Sequence, residues 1–553
     1  MKKLTLLLFV ALAFASRAQV SHGGSPRFNH AKSAIQAVQL PYVDNQKLLQ
    51  EDIDMVEGSS PLRVAVMQEA GISNLTQGET TVLGDGTKVW RTAVQSKGAT
   101  FLALFFSEFD IPDGARIFFY DASGNFILGG FTNENRQNDG TFYTQHIPGD
   151  VAYIEYHEPA GAPAGHFLIN RVLHGYKGIM DTKEWYDGLG VYPGRSGDCH
   201  IDVACDDGDD FRNQIRSVVE MLIVTENGAG FCSGALINNT ARDKTPYVLS
   251  AYHCQDLKGA LVGIVFYFNY QKVTCNAQGG PTNHTVIGAE LLAKESPNTG
   301  ADMLLLRINE PIPDAYKPYY AGWDRLAKER PEIGAGIHHP AGDYKKISIP
   351  FTLQKASGWA YFGNHDQEAY KVDLSEYYKA TWLHKGIIEE GSSGSPLFNK
   401  QKRIIGQLSA GHGDCTNPAD AEAYYGRFSS DWIGGGTADS RVSDWLDPLN
   451  TGATAIDGID YTEAVDSNLS IQPNVLYVYP NPSNGMVRVD VEEIGEARYE
   501  VYNTQGHLVM QGTTIFAITT QALNLTSLPS GAYIVHLTIG DKHYINTVMI
   551  RKR

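Results

Sequence analysis

Basic residues are scarce in this chain of 553 residues. Lys and Arg together number 45 against 62 Asp and Glu, so the formal net charge is −17. Nucleic-acid binding depends on a basic surface that displaces counterions from phosphates. The sequence therefore predicts no nucleic-acid partner.

Long apolar runs are missing beyond the N-terminus. Residues 4–15 form one apolar run, which Lys2 and Lys3 precede and the small residues Ser16 and Ala18 follow. This pattern is typical of a secretory signal, and we expect residues 1–18 to be removed. A membrane-spanning helix needs about 20 apolar residues. The mature chain is therefore expected to be exported and to have no transmembrane segment.

Cysteine is absent outside one central span of the chain. The six cysteines are Cys199, Cys205, Cys232, Cys254, Cys275 and Cys415. An even number in an exported chain predicts three disulfides. Because six cysteines can pair in many ways, the spacing marks a domain but leaves the pairing open.

Amphipathic helical patterns are few along the chain. Short apolar runs such as "ATFLALFFSEF" and "ADMLLLRIN" alternate with Gly, Pro and Asn turns, which favours strands. We predict an all-β chain with a β-rich segment at 19–195 and a barrel or sandwich at 196–460. A polar linker at 461–473 then leads to a small β-sandwich at 474–553.

Signatures of metals and cofactors are also lacking. No phosphate-binding glycine loop precedes a helix, and "CDDGDD" at 205–210 lacks calcium-loop spacing. "HHP" at 338–340 has no second pair of ligands at a suitable spacing. The sequence predicts neither a metal nor a cofactor.

The stretch "GSSGSP" at 391–396 carries the first positive signal. Attack on a carbonyl needs a serine in a sharp turn and N–H groups directed at the developing oxyanion. Ser393 lies between Gly391 and Gly394, which tolerate such a turn. The amides of Gly391 and Ser393 would be the oxyanion donors. Taken alone, the stretch is more typical of a turn between two strands.

A serine nucleophile also needs a base and a carboxylate that orients the base. His253 ends the strand-like stretch "YVLSAYHC", and Asp302 follows a glycine turn in "NTGADMLLLRIN". Each alone is typical of a strand end or a turn. Their order with Ser393, followed by "GQLSAG" at 406–411, resembles the chymotrypsin-like double β-barrel proteases.

The central span further resembles the bacterial lysyl endopeptidase family over about 260 residues. The matching pieces are "SGDCHIDVAC", "FCSGALINNT", "LSAYHC", "FYFNYQKVTC", "AGWDR", "IHHP", "GSSGSPLF", "KRIIGQL", "YYGRF" and "DSRVSDWLDPLNTGATAIDGID". The resemblance implies a trypsin-like double barrel with His253 as general base, Asp302 as orienting acid and Ser393 as nucleophile. It also implies three disulfides, which are Cys199–Cys415, Cys205–Cys275 and Cys232–Cys254.

The resemblance extends to the substrate side. Ser409 in "GQLSAG" would hydrogen-bond Asp302, and Gly411 would offer main-chain groups to a bound peptide. The family carries His where Ser409 stands, so this is a departure toward trypsin. Trp359 matches a family tryptophan beside the pocket.

A second departure concerns specificity. A lysine-selective pocket needs a buried carboxylate to compensate the ammonium. The family has this acid two residues before the "YGR" tyrosine, where this chain has Ala423. A one-residue gap would bring Asp420 or Glu422 into place, and Asp414 is a weaker candidate. The choice between Lys, Lys or Arg, and broader specificity stays open.

The resemblance also implies activation by cleavage between Arg195 and Ser196. Either another protease makes this cut, or this enzyme accepts Arg. Trypsin has an Asp before its nucleophile that captures the freed N-terminus, whereas this chain has Ser392, so Cys199 would tether the new terminus instead. Residues 19–195 would then be a propeptide that aids folding or inhibits, with a binding domain as the alternative.

The tail resembles the type IX secretion sorting domain through "YPNPSNG", "VYNTQGHLV", "LNLTSLPSGAYIVHL" and the basic end "RKR". It implies passage through the periplasm, an interaction with outer-membrane secretion machinery, and a final location that is secreted or at the cell surface. The alternative is an adhesive β-module. We therefore predict a secreted serine endopeptidase that acts on proteins or peptides. The competing hypothesis is a surface-attached binding or adhesin protein that retains a protease fold.

Overall fold

The computed structural model describes residues 21–28, 35–54, 61–137, 139–178, 196–255, 257, 259–277, 280–362, 370–382, 385–413, 415–463, 477–479, 483–491, 495–503, 507–516, 520–540 and 542–552. The expected signal peptide, Arg195, Asp414 and most of the expected linker lie outside these residues. Contacts divide the chain into two units. One holds the upstream domain and the central region up to Glu463, apart from residues 241–243, and the other holds the tail.

The upstream domain is built almost entirely of strands. Its elements are β1 (Ala37–Gln39), α1 (Asn45–Asp54), β2 (Leu62–Ser73), β3 (Glu79–Val82), β4 (Lys88–Gln95), β5 (Phe101–Asp110), β6 (Arg116–Asp121), β7 (Ile127–Phe131), β8 (Phe142–Tyr143), β9 (Ile147–Pro148), β10 (Val151–Glu158) and β11 (His166–Gly175). One sheet runs β1-β4-β10-β6-β7, and β2, β11, β5 and β8 form part of a second sheet. Aromatic residues fill the space between them, and Phe106 packs edge-on against Phe109, Phe119 and Phe142.

The central region contains two barrel-like sheets in succession. The first is formed by β13 (Val218–Thr225), β14 (Gly228–Ile237), β15 (Tyr247–Ala251), β16 (Leu261–Tyr267), β17 (Thr285–Ile287), β18 (Ala289–Glu295) and β19 (Met303–Ile308), preceded by β12 (Ile201–Asp202) and α2 (Arg212–Ile215). Its antiparallel pairing runs β17-β16-β13-β14-β15-β19-β18.

The second barrel-like sheet follows in the chain. Its region contains β20 (Tyr319–Tyr320), β21 (Trp323–Asp324), β22 (Ile333–His338), β23 (Lys346–Ser348), β24 (Thr352–Lys355), β25 (Trp359–Phe362), β26 (Tyr370–Asp373), β27 (Tyr377–Thr381), β28 (Pro396–Asn399), β29 (Ile404–His412), β30 (Glu422–Arg427), α3 (Phe428–Ile433), α4 (Ser443–Leu446), β31 (Ala455–Ile456) and β32 (Ile459–Asp460). The main order is β12-β23-β22-β28-β29-β30-β27-β24. The predicted all-β chain with a double barrel is confirmed.

The tail folds as a unit of short strands. They are β33 (Tyr477–Tyr479), β34 (Met486–Asp490), β35 (Gly495–Asn503), β36 (Leu508–Phe516), β37 (Thr520–Asn524), β38 (Gly531–Ile539) and β39 (Lys542–Ile550). Two sheets, β33-β34-β37 and β36-β35-β38-β39, enclose an apolar core. None of the helices in the described ranges is long and apolar enough to cross a bilayer.

The upstream domain continues the sheet of the first barrel. One edge of β14 pairs with β13, and the other edge pairs with β15 at Ala235–Ile237 and with β2 at Gly228–Phe231. Strand side chains alternate between the two faces. In β13, Ile223 packs in the barrel core, whereas Leu222 and Val224 pack with the aromatic residues of the upstream domain. The upstream domain thus covers both an edge and an outer face of this barrel.

Candidate active site

Strand register brings His253 and Asp302 together. β15 ends two residues before His253, and Asp302 directly precedes β19; these strands pair with Ala251 opposite Met303. His253 Nδ1 lies 2.7 Å from Asp302 Oδ2, and the His253 amide donates to Asp302 Oδ1 at 3.0 Å. Both side chains are buried. With Nδ1–H donating to the carboxylate, Nε2 is the nitrogen that can accept a proton.

Asp302 is held in an unusual backbone conformation. Its φ is +63°, in the left-handed region that non-glycine residues seldom adopt. The Tyr252 amide donates to the Asp302 carbonyl at 3.1 Å, and Ser409 Oγ donates to Oδ2 at 2.5 Å. Such strain persists where surrounding contacts fix it, and it is frequent at active sites. The expected contact between Ser409 and Asp302 is present in the structure.

Two buried acids lie behind Asp302. Burial raises the pKa of the Asp431 carboxyl well above its usual range, and Glu295 and Asp302 add to this rise through their charges. Burial likewise raises the pKa of Glu295 to about 7. Burial thus disfavours a further negative charge on Asp431 beside Asp302.

The serine turn is fixed by Ser233 of β14. The Ser233 amide donates to the Ser393 carbonyl at 2.8 Å, and its hydroxyl donates to the Gly391 carbonyl at 3.0 Å. Gly394 has a φ of +80°, and a β-carbon there would lie only 2.8 Å from the Ala251 amide nitrogen. Only glycine fits this approach. The turn of the second barrel therefore lies against the strand that leads to His253.

Three disulfides brace this arrangement. They join Cys199 to Cys415, Cys205 to Cys275 and Cys232 to Cys254. The three predicted bridges are confirmed, with the pairing that the resemblance implies. Cys254 Sγ also lies 3.8 Å from the Ser393 carbonyl oxygen. The residue after His253 is thus covalently tied to the strand that holds the serine turn.

The "HHP" motif has a structural role that the sequence analysis missed. His338 Nδ1 lies 2.7 Å from Ser392 Oγ, and His339 Nδ1 lies 3.0 Å from the Asp343 carbonyl. Burial holds the pKa of both imidazoles well below the usual range. The rings are therefore neutral, and His338 orients the residue that precedes Ser393. The sequence motif of two adjacent histidines did not indicate that His338 contacts Ser392.

The first described residues of the central region are also anchored. The Ser196 amide and hydroxyl both donate to Asp343 Oδ2, at 3.0 and 2.8 Å, and the Gly197 amide donates to Glu389 Oε1 at 3.2 Å. Asp343 was not identified from the sequence, because it lies far from Ser196 in the chain and in no motif. The expected tether through Cys199 is therefore supplemented by a buried carboxylate.

The residues expected to contact substrate are divided between the site and the surface. Gly411 lies opposite Ala423 in the β29–β30 pair. Glu422 instead forms an ion pair with Lys379. Asp420 is exposed and accepts a hydrogen bond from Asn417, and Trp359 is 63% exposed on the hairpin β25–β26.

One group of side chains has the proximity expected of metal ligands. Ligand atoms of Cys199, His200 and Cys415 lie within 4.8 Å of one another. The two sulfurs are bonded to each other, so neither is the thiolate that a metal would bind. His200 Nε2 lies 3.3 Å from Glu389 Oε1 instead.

Comparison with known proteins agrees with this architecture. Residues 193–426 match the family model described as lysyl endopeptidase, C-terminal domain, and residues 477–551 match the secretion system C-terminal sorting domain. Two regions of the chain are therefore similar to a lysyl endopeptidase domain and to a sorting domain. The resemblance predicted from the motifs is confirmed, and a sorting domain of this kind indicates export to the cell surface or beyond.

Individual relatives are distant. The chain is 26% identical to a lysyl endopeptidase of Pseudomonas aeruginosa over 303 residues, covering 52% of this chain and 61% of that relative's length. A protease from M. tuberculosis in its active form has 13% identity and a TM-score of 0.29, covering 44% of this chain and 88% of its own. A serine endoprotease from Yersinia pestis has 12% identity and a TM-score of 0.26, covering 63% and 98%.

Proposed function

We propose that this protein is an exported serine endopeptidase that uses Ser393 as nucleophile, His253 as general base and Asp302 as orienting acid. The observation that carries the proposal is the buried His253–Asp302 pair beside the glycine-flanked turn of Ser393. The lysyl endopeptidase family match supports the same reaction class.

The chemistry follows from this arrangement. His253 Nε2 takes the hydroxyl proton as Ser393 Oγ attacks the carbonyl carbon, and the amides of Gly391 and Ser393 stabilise the oxyanion. His253 then gives the proton to the leaving amine, and an acyl-enzyme forms. Water, deprotonated by His253, attacks the ester, and collapse of the second oxyanion releases the acid and returns the proton to Ser393.

Covalent labelling tests the nucleophile. We expect a fluorophosphonate probe to label the secreted protein, and labelling to be lost in Ser393→Ala but retained in Ser430→Ala of α3. Peptide hydrolysis should fall about a million-fold in Ser393→Ala, because the triad acts as a unit. Absence of labelling in the wild type would contradict the proposal and favour the alternative, a binding or adhesin protein that retains a protease fold.

We also propose that residues 19–195 form a propeptide that blocks the leaving-group side of the site. β2 occupies the edge of β14 at Gly228–Phe231, adjacent to Cys232 and Ser233. The Gly394 amide donates to the Leu408 carbonyl of β29 at 2.8 Å. We expect the acyl side of a peptide to bind along β29 at Ser409 and Gly411. A peptide extended beyond the scissile bond would therefore compete with β2, whereas a short ester would not.

The uncut precursor distinguishes these substrates. In Arg195→Gln, which removes the expected cleavage site, we expect hydrolysis of a short thioester to continue while hydrolysis of a peptide with three residues after the scissile bond is lost. Equal hydrolysis of both would contradict the proposed block. N-terminal sequencing of secreted Ser393→Ala would show whether cleavage before Ser196 needs the enzyme's own activity.

Cleavage before Ser196 would also change a charge. The amide that now donates to Asp343 would become an ammonium, and the buried carboxylate would then form an ion pair with it.

The tail, by its family match, would direct the chain to outer-membrane secretion machinery. Its final state, attached or released, can be read from the cell-surface and medium fractions.

A further inference from the structure

Three segments meet beside the serine turn. β29 contains Ser409, which contacts Asp302, and Gly411. A β-carbon built on Gly411 would lie 2.9 Å from Ile388 Cδ1 and 3.0 Å from Ala423 Cα. Ile388 belongs to the segment that leads directly into Gly391 and Ser393. Residues from β29, β30 and the serine segment therefore form one wall of the space next to the nucleophile.

This wall is apolar. Ile387, Ile388, Ala421 and Ala423 are all buried, with exposed fractions of 7% or less. They pack in one cluster with Trp382 and other apolar residues of the second barrel. None of the four side chains of the wall, which are those of Ile387, Ile388, Ala421 and Ala423, carries a charge or a hydrogen-bonding group.

Three carboxylates on the described parts of the adjoining segments contact other groups. Glu422 precedes Ala423 in β30, so its side chain points to the opposite face of the sheet, where it pairs with Lys379. Asp420 is exposed beside Asn417. Glu389 accepts the Gly197 amide and lies close to His200.

We propose that the pocket beside Ser393 takes an apolar side chain, so that this enzyme cleaves after apolar residues in preference to lysine. The inference rests on the proposed serine endopeptidase function and deepens it. An ammonium placed against Ile388 and Ala423 would lose its hydration without gaining a carboxylate from the described residues of these segments. An aliphatic side chain would bury apolar surface against the same residues.

The test uses matched peptides that differ only in the residue before the scissile bond, which is Ala, Leu or Lys. With the processed wild-type protein, we expect kcat/KM for the leucine peptide to exceed that for the lysine peptide at least tenfold. A tenfold ratio corresponds to a difference of about 1.4 kcal/mol. Equal or faster cleavage after lysine would overturn the inference while leaving the proposed function intact. Absence of Ser393-dependent cleavage of all three peptides would overturn both.

A substitution at the wall gives a second measurement. Ala423→Asp should raise the kcat/KM ratio of the lysine peptide to the leucine peptide at least tenfold, whereas the uncharged, similarly sized Ala423→Asn should not. Fluorophosphonate labelling of each variant reports whether its site is folded. An unchanged ratio in a labelled Ala423→Asp protein would show that Ala423 does not face the bound side chain, and it would overturn the inference. If the variant fails to label, the wild-type ratio decides.

Discussion

The two barrels hold their parts of the site by different means. In the first barrel, His253 and Asp302 are neighbours because β15 and β19 pair in one register, and a disulfide ties the following residue to β14. In the second barrel, the wall beside Ser393 depends on the identity of single side chains such as Ile388 and Ala423. The proposed catalytic geometry is thus built into the sheet, whereas the proposed specificity would change by one substitution without altering the fold.

Among substitutions that keep the serine nucleophile, the largest effect is expected on the first-barrel side. Asp302→Asn should keep the fold but lower kcat about 10⁴-fold, because the amide cannot hold His253 in the tautomer that accepts the serine proton. The measurement is kcat and KM on the best peptide, with a thermal melt of each protein. A fall of less than about tenfold would mean that Asp302 does not orient the base.

The stability of the upstream domain, which packs on the first barrel, should depend on pH. His146 of the upstream domain is buried, its Nδ1 lies 2.9 Å from Tyr267 Oη, and burial lowers its pKa to about 3. Burial likewise lowers the pKa of His174 to about 4. These folded-state pKa values lie below the unfolded value of 6.5, so the unfolded chain binds protons first. The contribution of these imidazoles to the free energy of unfolding is therefore fully present above pH 6.5 and is lost as the pH falls toward 3.

For His146 alone, we expect the free energy of unfolding to fall by about 2 kcal/mol between pH 7 and pH 5. Urea unfolding of the uncut Ser393→Ala chain at the two pH values measures the loss. His146→Gln, which does not titrate, should remove most of its share of the pH dependence. An identical pH dependence in this variant would mean that other groups control the stability of the upstream domain.

Sequence reasoning found the residues whose neighbours in the chain are diagnostic. A local sequence signal marks each of three residues: His253 beside Cys254, Asp302 after a glycine turn and Ser393 within "GSSGSP". Their order in the chain indicated the double-barrel fold. Contacts between distant segments gave no such signal. The pairing of β2 with β14 depends on backbone hydrogen bonds that any apolar strand can make, so no residue pattern marks it.

Pocket composition was also beyond the sequence. Whether Glu422 reached the pocket depended on the register of β30, because a slip of one residue moves every strand side chain to the opposite face. The register in the structure puts Ala423 opposite Gly411 and directs Glu422 to Lys379. Asp343, the partner of Ser196, was missed for a related reason, because the two residues meet only after both barrels form.

A smaller effect is expected where the barrels join. Ser409 of the second barrel donates to Asp302 of the first. Ser409→Ala should lower kcat about tenfold, because a hydrogen bond to a charged group contributes about 1.5 kcal/mol or more. Ser409→Thr retains a hydroxyl and should recover most of the rate. If Thr fails to recover activity although the protein melts normally, the role of Ser409 is steric.

The smallest effect is expected at Trp359. Its ring is 63% exposed and contacts Lys371, whose Nζ lies 4.7 Å from the ring centroid. The same hairpin is anchored by Phe362, which packs on Tyr377 and Tyr424. Trp359→Ala should therefore change kcat/KM by no more than about twofold, as is usual for surface substitutions. Phe362→Ala is the matched control, and it should lower stability by about 3 kcal/mol. A tenfold loss of kcat/KM in Trp359→Ala, with an unchanged melting temperature, would instead make this exposed tryptophan part of the substrate site. The part of the second barrel that sets specificity would then extend beyond the wall at Ala423.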